Sequence, residues 1–253
     1  MSTDDDETEC IMNQKKKLFI MILIVSCIAL LVSSIHILRW YWNTRQEQKE
    51  LLQLANQTTI PSQEGDYLQV NFSYLERINP SVAGWIKVDG TDIDYPFVQG
   101  SDNSFYLTHS FHNTYSRSGW LFLDYRNNRN FKDKNNIIYA HSQTNRTMFG
   151  TLKNVLTEKW FQSADVHIVR TSTPTQNALW QVFSVYTIPT TTDYLQIDFD
   201  TDFTTLANKL IDRSVFDFHT TVEEGDKILT LSTCHNKTVK TVLHAKLIAT
   251  QDR

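Results

Sequence analysis

This 253-residue chain predicts a mainly β domain, a closed barrel or a sandwich, carried behind one membrane-spanning helix. Three observations lead there. Residues 18–38 contain no Lys, Arg, Asp or Glu. From Gly84 onward the chain divides into short runs rich in Val, Ile, Thr and aromatics, with turn signals between them. Two stretches among those runs keep helical spacing instead.

The first run, LFIMILIVSCIALLVSSIHIL (Leu18 to Leu38), is long enough to cross a bilayer core as a helix. Lys15, Lys16 and Lys17 precede it, and Trp40, Tyr41 and Trp42 follow it as an interfacial anchor would. It is longer than the apolar region of a cleaved leader, and no small-x-small cleavage site follows, so an uncleaved signal anchor is expected. The lysine cluster favours a cytoplasmic N-terminus and an outside C-terminal domain. The expected layout is a cytoplasmic tail over 1–17, a transmembrane anchor over 18–38, a polar juxtamembrane helical region over 39–78 and the mainly β domain over 79–253.

Tyr67 to Asn79 reads as a helix, with Leu68, Phe72 and Leu75 on one face and Asn79-Pro80 ending it. Strands are then expected at GWIKV, DIDYPFV (after an Asp89-Gly90 turn), GWLFLD, NNIIYAH, VHIVRT, LWQVFSVYTI, KILTLSTC and VKTVLHAKLIAT. About eight strands in the soluble part suit either a barrel or a sandwich. Helices are expected over Met148 to Trp160 and Phe203 to Phe216. In the second, Phe203, Leu206, Ala207, Leu210 and Ile211 share a face that covers the sheet.

A formal net charge of −4 leaves no electrostatic footprint for nucleic acid. Of three cysteines, Cys10 lies in the N-terminal tail and Cys27 in the apolar run, which leaves Cys234 alone in the soluble part. It cannot pair internally, so it is either a buried, inert thiol or a reactive one. KILTLSTC is an apolar strand ending in Cys234, and NNIIYAH is one ending in His141. Strand ends lie at the rim of a sheet domain, where a nucleophile keeps partial exposure. A histidine beside the thiol can stabilise the thiolate and protonate a leaving amine. His235 follows the nucleophile and points to the other face. His109 and His112 have a metal-like spacing without a supporting cluster. No metal and no cofactor is expected.

The tract TLSTC (Thr230 to Cys234) resembles the TLxTC signature of sortases, and IIYAH resembles their strand-end histidine motif. The resemblance extends from about Asn79 to Ile248. NPSVAGWIKVDGTDIDYPFVQGSDNSFYLTH, SGWLFLDYRNN and HSQTNRTMFGTL are similar to the class B branch. It implies an eight-stranded β-barrel with N-terminal helices and a helix before the cysteine strand. It also implies a two-step acyl transfer, in which Cys234 attacks a threonine carbonyl in a C-terminal sorting signal and His141 protonates the departing amine. An acceptor amine, from a cell-wall precursor or from a pilin lysine, then resolves the thioester. The substrates would be surface proteins or pilin subunits. By the same resemblance Asn103, Leu107, Tyr139 and Ser232 match positions lining the substrate groove.

One position departs from the pattern. Where sortases carry arginine on the strand after the cysteine, this chain has Lys240, which supplies charge without the planar fork. Lys240 is expected to take the role, with Arg146 as an alternative cation. A cysteine peptidase using water as acceptor and a non-catalytic binding module on a decayed barrel are the rival functions.

Overall fold

The computed structural model describes residues 3–58, 67–197, 199, 202–233 and 239–253, with only some of the side chains of the first segment. By compactness the chain divides into Met1–Glu50 and Leu51–Arg253, and the division falls inside helix α1 (Thr3–Thr58). The first unit holds this helix as far as Glu50. Its stretch Lys15–Trp42 is 28 residues, long and apolar enough to cross a membrane. Leu18, Phe19, Ile24, Leu31, Ile37 and Trp40 all lie exposed on it, a ring of apolar side chains that water would penalise and lipid would accept.

In the second unit, eight strands among the described residues close into a barrel. They are β1 (Val82–Val88), β2 (Asp94–Val98), β3 (Phe122–Leu123), β4 (Asn135–Ala140), β5 (Ile168–Ser172), β6 (Gln176–Pro189), β7 (Ile228–Thr233) and β8 (Val239–Asp252). Their spatial order is β1-β2-β3-β4-β7-β8-β6-β5, and β5 pairs back onto β1. The sequence left barrel and sandwich open; closure through β5 and β1 decides for the barrel and leaves no free edge. Each of the eight apolar runs contains a strand. Gly90, at a φ of 74°, makes the expected turn between β1 and β2.

Strand β7 is buried throughout, although KILTLSTC alternates Leu with Thr and Ser. Leu229 and Leu231 join the barrel interior with Trp85, Phe97 and Ile138. Ile228 packs on the other face with Phe183, Tyr186, Tyr194, Phe203 and Leu210. Covered on both faces, the strand keeps its alternating Thr230 and Ser232 buried, where they hydrogen-bond Asn135 and Tyr194. The outer cover is helix α4 (Phe203–Asp212), capped by the Asp202 side chain accepting from Thr205 N–H. Its buried face is Phe203, Leu206, Ala207 and Leu210, as the spacing predicts. Phe203, Leu206 and Leu210 each contribute roughly 1.5–3 kcal/mol of apolar burial.

Three helix expectations are corrected. Helix α2 is Phe72–Ile78 rather than Tyr67 to Asn79, because Asn71 caps it by accepting from Tyr74 N–H and Val70 is already in a β-bridge. The helix over Met148 to Trp160 is two short pieces, a 3-10 turn Leu152–Leu156 and helix α3 (Glu158–Phe161). Met148 takes a φ of 54° in a bridge to Ser142, and extended Thr157 separates the pieces as the cap of the second. Helix α4 stops at Asp212 rather than Phe216, since Val215 N–H turns back to the Val185 carbonyl at 2.9 Å.

Candidate active site

Cys234 and His235 lie outside the described residues, so the site is built from what surrounds them. Strands β4 and β7 are parallel neighbours in register, and their last pair is Ala140 with Thr233. Strand β8 returns antiparallel beside β7, with Ser232 opposite Val242. Thr241 N–H donates to Thr233 Oγ1 at 2.9 Å, tying the start of β8 to the end of β7. Half-buried Lys240 sits one residue earlier, opposite Ile188 of β6. His141, Thr233 and Lys240 therefore gather at one end of the barrel.

His141 is half-buried and held from two sides. Its own carbonyl accepts from Phe149 N–H at 3.0 Å. Its ring Nε2 lies 2.8 Å from the Leu107 carbonyl. A carbonyl can only accept, so Nε2 carries the proton and Nδ1 is the nitrogen left for acid/base exchange. Leu107 ends a 3-10 turn, Phe105–Leu107. The Asp102 carboxylate starts that turn by accepting from Ser104 N–H at 2.7 Å and Phe105 N–H at 2.8 Å. Gly119 packs against the turn at a φ of 58°; a Cβ there would stand 2.7 Å from the Leu107 oxygen. Only glycine leaves room for the carbonyl that orients His141.

Asn103 and Tyr139 converge on a carboxylate that sequence reasoning missed. Asp124, just after β3, is fully buried. It accepts from Asn103 Nδ2 and from the Tyr139 hydroxyl, each at 3.0 Å. Arg126 donates to it from its backbone N–H, from Nε at 2.9 Å and from its terminal nitrogen at 2.8 Å. Burial pushes this carboxyl up, but the hydrogen bonds from Arg126 and Asn103, with the guanidinium charge, outweigh it and hold the group below its ordinary value. Ser232 is buried on β7 and meets the Tyr194 hydroxyl at 2.9 Å. Tyr194 belongs to the segment between β6 and α4.

Beneath that segment runs a directed chain of hydrogen bonds around His244. Thr230 donates to Asn135 Oδ1 at 2.7 Å, so it accepts from His244 Nδ1 at 2.9 Å. Nε2 then accepts from the Tyr186 hydroxyl at 2.9 Å. Asn135 Nδ2 in turn donates to the carbonyls of Tyr194 and Gln196 at 3.1 and 2.8 Å. Burial, helped by the nearby Arg213 charge, pushes His244 down to about 3, so the imidazole is neutral. Of the other sequence candidates, Arg146 pairs with Asp92 at 3.0 Å, and His109 stacks on Phe105 with ring centres 4.0 Å apart.

With this geometry in hand, comparison with known proteins is informative. The sortase domain family model matches residues 86–248. Sortase B of Listeria monocytogenes is 37% identical over 162 residues, 63% of this chain and 65% of that protein. Sortase B of Staphylococcus aureus is 29% identical over 240 residues, 92% of this chain and 98% of that protein. The crystal structure of Bacillus anthracis sortase B in complex with AAEK1 superposes with a TM-score of 0.72 at 33% identity, covering 82% of this chain and 99% of that one. The barrel, its parallel β4–β7 pair and these matches agree: the chain belongs to the sortase family of cysteine transpeptidases, in its class B branch.

Proposed function

We propose that this chain is a membrane-anchored sortase, with Cys234 as nucleophile, His141 as acid/base and Lys240 as the cation that steadies the oxyanion. The observation that carries the reading is the strand register. Ala140 pairs with Thr233, and Ser232 pairs with Val242. His141 directly follows the last β4 residue of that pairing, Cys234 directly follows Thr233 in sequence, and Lys240 lies at the start of β8. Neighbouring strands lie about 4.8 Å apart, so three such side chains can address one carbonyl.

The Cys234 thiol gives its proton to His141 Nδ1 as its sulfur attacks the threonine carbonyl of a C-terminal sorting signal, and the carbonyl electrons move onto oxygen. Lys240 offsets that charge, with a more hydrated ammonium in place of a guanidinium fork. As the intermediate collapses, the peptide C–N bond breaks, the acyl group stays on sulfur and His141 gives its Nδ1 proton to the departing amine. An acceptor amine then attacks the thioester, His141 takes up its proton and the thiolate leaves. Asn103, Leu107, Tyr139 and Ser232 line the groove for the signal. The acceptor is a cell-wall peptide or a pilin lysine.

The apolar stretch of α1 supports anchoring as a single-pass helix, with residues 1–17 cytoplasmic, a juxtamembrane region to residue 78 and the catalytic domain outside. The test is to give the full-length chain in detergent a panel of sorting-signal peptides and excess amine, and to weigh the products. Amine-linked peptide is expected, and its mass separates wall anchoring from pilin joining. Release by water alone, with amine in excess, would mean a peptidase. Lys240→Ala is expected to lose activity with folding intact; unchanged activity would remove Lys240 from the mechanism.

A further inference from the structure

We propose that Asp124 and Arg126 form a clasp that sets the width of the sorting-signal groove, which makes both of them positioning residues; this rests on the reading of the groove given above. The groove residues come from segments far apart in sequence, Asn103 before the 3-10 turn, Tyr139 on β4 and Ser232 on β7, and the 194–196 segment after β6 packs beside them, tied to Ser232 through Tyr194 and to β4 through Asn135. Nothing in those bonds reaches Asn103.

The buried Asp124 carboxylate binds the first two directly, through Asn103 Nδ2 and the Tyr139 hydroxyl. Arg126 reaches the 194–196 segment. One edge of its guanidinium is forked onto Asp124 through Nε and a terminal nitrogen, and that same terminal nitrogen also lies 3.3 Å from the Leu195 carbonyl. Leu195 follows Tyr194, whose hydroxyl meets Ser232 two residues before Cys234. The contacts thus run from Asn103 through Asp124 and Arg126 to the 194–195 segment, with Tyr139 as a side branch.

Two features separate a clasp from a plain surface pair. The carboxylate is wholly buried while 44% of the Arg126 side chain is exposed, so the arginine lies at the surface with a fixed anchor beneath it. The planar fork also holds its direction, which a lysine on the same stem cannot reproduce. Neither residue lies at the His141 end of the barrel, because β3 runs antiparallel to β4 and Asp124 follows the pair of Leu123 with Ile138. The clasp therefore acts on binding of the signal rather than on the thiol.

The test uses the full-length chain in detergent with a cleavable sorting-signal peptide. Arg126→Ala is expected to raise KM about tenfold with kcat changed by less than about twofold, and Arg126→Lys to fall between it and the parent. The rate at which iodoacetamide alkylates Cys234 is expected to stay the same in both variants. Unchanged KM in Arg126→Ala, or an alkylation rate that falls with it, would overturn the clasp. Should Arg126→Ala not fold, Arg126→Lys carries the same split on its own. A parent enzyme that alkylates at Cys234 but cleaves no sorting peptide would instead sink the functional reading beneath it.

Discussion

Asp124 and His244 are both ionisable, both wholly buried and both hydrogen-bonded between elements that frame the β4–β7 face, yet they are kept in opposite charge states. Asp124 stays ionised because Arg126, Asn103 and Tyr139 all donate to it. His244 stays neutral because its surroundings are Phe183, Tyr186 and Tyr194 rings, and the nearest charge, on Arg213, is of the sign that opposes protonation. The difference shows two ways to tie a loop to a barrel. One uses a charge and depends on its counter-ion. The other uses the direction of neutral hydrogen bonds and depends on pH.

The largest way to break the comparison is to remove the charge. Asp124→Ala leaves the Tyr139 hydroxyl and the Asn103 amide without their acceptor, and is expected to cost about 3 kcal/mol in chemical denaturation. A loss below about 1 kcal/mol would mean that water replaces the carboxylate, and the charged tie would lose its meaning.

The next is acid. His244 titrates near 6.5 in the unfolded chain and is pushed down to about 3 in the folded one. Between those values the unfolded state binds more protons, so stability falls as pH is lowered from about 6.5 toward 3, by up to about 1.4 kcal/mol per unit. His167, lowered chiefly by burial, adds to the same slope. Asp124 acts with the same sign in a lower window: its share is present above the ordinary 3.8 and is lost as pH falls through its lowered folded value. His244→Gln should therefore flatten much of the slope between pH 6.5 and 4 in urea midpoints, and Asp124→Asn should leave that slope in place. The reverse pattern would refute the assignment. The smallest effect expected is from Tyr186→Phe, which removes one donor to His244 Nε2 and should cost about 1 kcal/mol; it should also raise the histidine's titration midpoint little, since burial dominates it.

What the sequence made legible follows from the range of each signal. The eight strands were readable because β-branched and aromatic runs end at local turn chemistry, as at Asp89-Gly90. The covering face of α4 was readable because its spacing is local too. The helix from Met148 to Trp160 was misread because Met148 adopts a positive φ and Thr157 interrupts the chain, both set by neighbours outside the window. Of the proposed site residues, Cys234 and His141 were picked out as strand-end residues and through a family signature, and Lys240 through the signature alone. The Leu107 carbonyl was not legible, because a backbone oxygen carries no residue-type mark. Asp124 read only as the end of the strand run GWLFLD and Arg126 carried no signal, since their partners Asn103, Tyr139 and Leu195 lie between 15 and 69 positions away.

The most direct measurement is to trap the acyl-enzyme. The full-length chain in detergent is mixed with a sorting-signal peptide in the absence of amine, quenched in acid and mapped by tandem mass spectrometry. The account predicts an acyl group on Cys234, formed in the parent chain, absent in Cys234→Ala and strongly slowed in His141→Ala. An adduct at another residue, or cleavage by Cys234→Ala at the parent rate, would contradict it.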